Sequence, residues 1–155
     1  MKRWTWLLWG LLIFGFIENT GARMESLQPV QLLQVIKDES GVTLKTDTKE
    51  LGRGRTFCRA LENLQETSEK RIFLETADML ILGEHAEELL PELKKILRPA
   101  VQVCKSDAEL DLSQAAAFLE NHRSEKILAE ITEDTEELPD LQNTGGRLKL
   151  AGNNG

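Results

Sequence analysis

The chain has 155 residues, a net charge of −7, 41% apolar and 5% aromatic side chains, and two cysteines. That acidity repels phosphate backbones and excludes sequence-independent nucleic-acid binding, which depends on clustered Lys and Arg. Two cysteines are too few for a disulfide scaffold, so an aliphatic core has to hold the fold.

Residues 1–22 read as a signal peptide. Lys2 and Arg3 form a charged start, Trp4 to Ile17 an apolar run, and Thr20, Gly21 and Ala22 a small-residue segment suited to cleavage. Cleavage after Ala22 removes all three tryptophans and takes the net charge from −7 to −8. Nothing beyond it approaches the roughly 20 apolar residues that span a bilayer, so a secreted, extracellular product without membrane insertion is expected.

Four segments carry helical spacing. Helix A opens at Ser26, runs through Val30, Leu32, Leu33, Val35 and Ile36, and stops at Gly41. Val42, Leu44 and Thr46 then alternate as a short strand. Helix B follows from Thr56, with Phe57, Leu61 and Leu64 as its stripe. Helix C places Ala86, Leu89, Leu90, Leu93, Ile96 and Leu97 on one face, with a kink or boundary at Pro91 and an end at Pro99. Val101 and Val103 form a second short strand. Asp111 and Gln114 have capping-box spacing at the start of helix D, whose stripe continues to Leu128 and Ile131. Residues 133–155 are acidic, then Gly-punctuated, and read as a disordered tail.

In an oxidising compartment the even count favours pairing of Cys58 and Cys104. Closing that loop stabilises by roughly 4 kcal/mol in the chain-entropy account.

The residues Thr56, Phe57, Cys58, Arg59 and Ala60 resemble the segment that opens helix B in the interleukin-4/interleukin-13 family. Leu33 to Lys37 is similar to that family's helix A, and Phe118, Leu119 and Glu120 to its helix D. The resemblance covers roughly residues 26–131, within an expected cytokine domain over 23–132, and implies an all-α, short-chain four-helix bundle of up-up-down-down connectivity, with two short strands in the long connections. It also implies a Cys58–Cys104 disulfide between helix B and the loop before helix D. The chain resembles the fish type of that family, in which one lineage combines the two cytokines. Such a cytokine acts in immune regulation as a monomer that bridges an interleukin-4 receptor alpha-like chain and a second receptor chain. The receptor-facing candidates are Gln31, Gln34 and Lys37 on helix A, Glu88, Lys94, Lys95 and Arg98 on helix C, and Asn121, Arg123 and Lys126 on helix D. The sequence departs from the family in having no tyrosine and no Asn-x-Ser/Thr site.

No catalytic residue, metal site or cofactor is expected. His85 with Glu88 offers two ligands and no second pair, and Ser113 with His122 has neither a nucleophile elbow nor a Gly-rich oxyanion loop. Two other readings stay open: a secreted amphipathic-helical lipid-binding protein, and a cytokine of another four-helix branch.

Overall fold

The computed structural model describes residues 27–132 and 137–152, so the signal-peptide reading of residues 1–22 lies outside it. The strands are β1 (Leu27–Pro29), β2 (Leu32–Asp38), β3 (Gly41–Thr46), β4 (Leu51–Gly54), β5 (Arg71–Phe73), β6 (Met79–Leu82), β7 (Gln102–Lys105), β8 (Asp140–Thr144) and β9 (Arg147–Ala151). The α-helices are α1 (Phe57–Thr67), α2 (Leu90–Ile96) and α3 (Leu112–Asn121). Seven strands form one sheet in the order β4-β3-β2-β6-β7-β8-β9, and β1 pairs in parallel with β5 beside it.

The all-α four-helix bundle is therefore overturned: this is a mixed α/β fold. The decisive segment is Leu32 to Val35. It pairs antiparallel with β3 on one side and parallel with β6 on the other, and it is covered on both faces. A strand buried on both faces shows a continuous apolar run instead of alternation, and periodicity cannot tell it from a buried helix.

Successive side chains of β2, β6 and β7 enter two different cores. Leu33, Val35, Leu80, Leu82 and Val103 meet Phe57, Ala60 and Leu64 of α1 and Leu90 and Leu93 of α2. On the opposite face Leu32, Met79, Ile81 and Cys104 meet Leu112, Ala115, Ala116 and Leu119 of α3. The sheet is thus a central layer with α1 and α2 on one side and α3 on the other.

Several local expectations hold. Thr56 caps α1 by accepting from the Arg59 N–H, and Asp111 caps α3 by accepting from the Ser113 and Gln114 N–H groups. Pro91 stands where a 3₁₀ turn, Ala86–Leu89, gives way to α2. Helix D ends at Asn121, and Leu128 lies instead in a separate 3₁₀ turn, Leu128–Glu130.

The C-terminal residues differ from a disordered tail. Asp140 to Ala151 form a β-hairpin whose loop, Gly145 and Gly146, has φ of +60° and +83° at both positions. That two-residue loop is the type I′ turn whose twist suits paired strands. Residues 133–136 lie outside the described residues. The outer edge of β7 is shared: Val103 N–H donates to Lys126 O at 2.9 Å near its start, and Lys105 N–H donates to Pro139 O at 2.8 Å at its end.

Candidate functional site

The carboxyl ends of parallel strands are where open α/β sheets form crevices, because connecting segments diverge there to opposite faces. Here β7 leads across the sheet to α3 on one face, while the 3₁₀ turn and α2 that follow β6 lie on the other. On the α2 side, at the carboxyl ends of β6 and β7, opens a cleft of about 930 Å³ that no residue of α3 lines. One wall is the 3₁₀ turn and the first turns of α2, with Glu87, Glu88, Leu90 and Lys94. Lys105 closes the end of β7, Ile131 and Leu138 add apolar surface, and Asp140 and Ala151 of the hairpin form the other wall.

The approach to this wall is set by the backbone. Gly83 N–H donates to Val35 O at 2.8 Å, and a Cβ at Gly83 would come within 2.9 Å of Ile36 Cγ1, so the chain leaves β6 flush against β2. His85 then adopts φ +54°, a left-handed conformation that costs a non-glycine residue energy and reverses the chain into the 3₁₀ turn.

Most basic groups around the cleft are already engaged. Lys37 pairs with Glu88, and Lys105 Nζ lies 3.4 Å from Glu87 Oε1. Lys94 Nζ donates to the Ile131 carbonyl. The hydrogen bond from Lys37, reinforced by its charge, holds the Glu88 carboxyl below the ordinary carboxylate range. The lining therefore carries four carboxylates against two ammonium groups, one of them on a backbone carbonyl, beside an apolar floor.

The receptor candidates do not form one surface. Lys37, Glu88 and Lys94 come together at the cleft. Gln31, Asn121 and Arg123 line a different groove, at the amino end of β6. Arg98 lies near that end too, donating to Asp78 at 2.5 Å and to the Thr76 and Ala77 carbonyls. Lys95 and Lys126 are exposed and belong to neither cleft nor groove.

Gln34 is in the core, 2% exposed, on the α3 side of β2 between Lys45 and Ile81. The other buried polar side chains have partners: Ser106 donates to Leu141 O and Ser124 to Val103 O, each at 2.6 Å, and Thr46 shares a hydrogen bond with Thr48. No buried side-chain nitrogen or oxygen lacks a hydrogen-bond partner among the described residues.

The two cysteines are free, with Cys58 exposed on α1 and Cys104 buried in β7. The Cys58–Cys104 disulfide is absent for a geometric reason: α1 covers one face of the sheet, and Cys104 points into the core on the other.

Sequence reasoning missed Glu87, Lys105, Asp140 and Ala151. The signal for the last two was present: Gly145-Gly146 stands between Leu141 and the alternating Leu148 and Leu150, a hairpin pattern. Among the described residues, no three His, Cys, Asp or Glu side chains gather as a metal site, and no helix is long and apolar enough to cross a membrane. No family model, curated protein or solved structure matches the chain.

Proposed function

We propose that this is an exported ligand-binding protein whose cleft at the carboxyl ends of β6 and β7 takes a small molecule combining an ammonium group with an apolar body. The observation that carries the reading is the cleft itself, where Asp140 and Glu137 face a lining of Leu90, Ile131 and Leu138. A concave, partly apolar site with a few convergent polar groups is the usual form of a small-molecule site. An excess of carboxylates favours a cation and disfavours an anion. Export is supported by the Lys2-Arg3 start, the apolar run and the small residues at Thr20–Ala22.

Binding accounts for the cleft better than catalysis does. Glu88 is held below the ordinary carboxylate range by Lys37, so it is not poised to exchange a proton near neutral pH, and Glu87 is paired with Lys105. Gln34 is internal and Lys37 stands on a strand, so these residues present no helix face to a receptor.

An amide-resolved NMR titration with phenethylamine and with 3-phenylpropionate tests the reading. Phenethylamine should shift the Lys105, Asp140 and Ala151 resonances at millimolar concentration, and Asp140→Asn should weaken it several-fold. Equal shifts from the carboxylate, or none from the amine, would reject the proposal.

A further inference from the structure

The two ends of the seven-stranded sheet are treated differently. At β4 the edge is closed by α1: the Arg53 N–H donates to Asn63 Oδ1 at 2.9 Å, and Thr67 Oγ1 donates to Leu51 O at 3.4 Å. The opposite end is β9, which has no strand beyond it. Covering an edge with a helix is one of the ways proteins prevent unwanted strand pairing, and β9 has no such cover among the described residues.

The register fixes what β9 presents. Thr144 and Arg147 flank the two-residue loop and pair with each other, so they are a hydrogen-bonded pair. In the alternation of an antiparallel ladder, Lys149 also bonds inward to Gln142, and Leu148 and Leu150 turn their N–H and C=O groups outward. Side chains alternate as well. Leu148 and Leu150 pack half-buried against the core under α3, whereas Arg147 and Lys149 are exposed on the other face.

A strand laid against β9 would place successive side chains beside Leu148 and Leu150 on one face and beside Arg147 and Lys149 on the other. Apolar residues complete the first row and acidic ones the second. We infer that β9 is a strand-addition site for an extended segment of another protein that alternates apolar and acidic residues. Charge complementarity selects this occupant over a second copy of the chain, because a β9–β9 pairing would set Arg147 and Lys149 against the same cations. The inference is independent of the cleft ligand, since it uses the hairpin's outer edge and a polypeptide partner.

Synthetic peptides of alternating Val and Glu, of alternating Val and Lys, and the Val–Glu peptide N-methylated at alternate residues test the inference on the isotope-labelled protein. The Val–Glu peptide should slow amide exchange at Leu148 and Leu150, the N-methylated form should not, and Arg147→Glu with Lys149→Glu should weaken its binding by about tenfold and admit the Val–Lys peptide. Unchanged Leu141 signals show that the doubly substituted hairpin is still folded. Equal binding of the N-methylated peptide, absence of protection at Leu148 and Leu150, or pairing of two copies through β9 without peptide binding overturns it.

Discussion

Gly52→Ala is expected to destabilise the protein by about 3 kcal/mol, one of the largest effects available from adding a single methyl group. Gly52 lies in β4 directly beneath α1. A Cβ there would press on the Ala60 carbonyl oxygen and stand 2.5 Å from Leu64 Cβ and 2.9 Å from Leu64 N. Two of these three atoms are helix backbone, so no rotamer change relieves the contact. The helix would have to lift, which also strips Asn63 and Thr67 from the edge groups of β4 that they satisfy. Gly145→Ala is the control. Gly145 has φ +60° with nothing within 4 Å of an added Cβ, so only the conformational term of about 1 kcal/mol applies. Urea unfolding of both variants separates the two mechanisms, and equal losses would show that α1 is not seated on Gly52.

The same close approach explains part of what the sequence could and could not reveal. Elements exposed on one face were legible: Thr56 and Asp111 announce α1 and α3, and Val42, Leu44 and Thr46 alternate as β3 does. Segments buried on both faces were not. Val30 to Ile36 presents a nearly continuous apolar run, and a 3.6-residue stripe can be drawn through it as readily as a strand. Once that segment is taken as a helix, the strand expected at Val42 has only Val101 and Val103 to pair with, and a bundle follows. Gly52 and Gly54 then look like loop residues, although they are what allows α1 to lie against β4. The site was largely hidden for a related reason. Lys105 and Asp140 are adjacent only because β7 and β8 pair there, a juxtaposition set by topology and not by spacing. Lys37 and Glu88, 51 residues apart, meet for the same kind of reason: one lies near the end of β2 and the other follows β6.

Thiol chemistry should distinguish Cys58 and Cys104 by orders of magnitude. Native protein is expected to titrate one fast thiol, Cys58, because it is exposed on α1. Cys104 is pushed up to about 12 from an ordinary 9.0, first by burial and then by the negative charge of Asp140. At pH 8 roughly one Cys104 in ten thousand would be thiolate even if a reagent could reach it. It should therefore react only on unfolding, giving a second equivalent in denaturant. Recovery of no free thiol from denatured, unreduced protein would reinstate the disulfide and contradict the sheet between the two residues. The raised value also sets a pH dependence. Below pH 9 both folded and unfolded states keep the thiol protonated, and the group adds no slope. Between about 9 and 12 the unfolded chain loses the proton while the folded chain holds it, so stability falls by up to about 1.4 kcal/mol per pH unit. Cys104→Ala removes this contribution while leaving the lysines and arginines, which titrate in the same range, as they were. The difference in unfolding free energy between wild type and Cys104→Ala should be constant below pH 9 and shift steadily in favour of the variant above it. A constant difference up to pH 11 would mean that Cys104 is solvated and that the core beneath α3 is open.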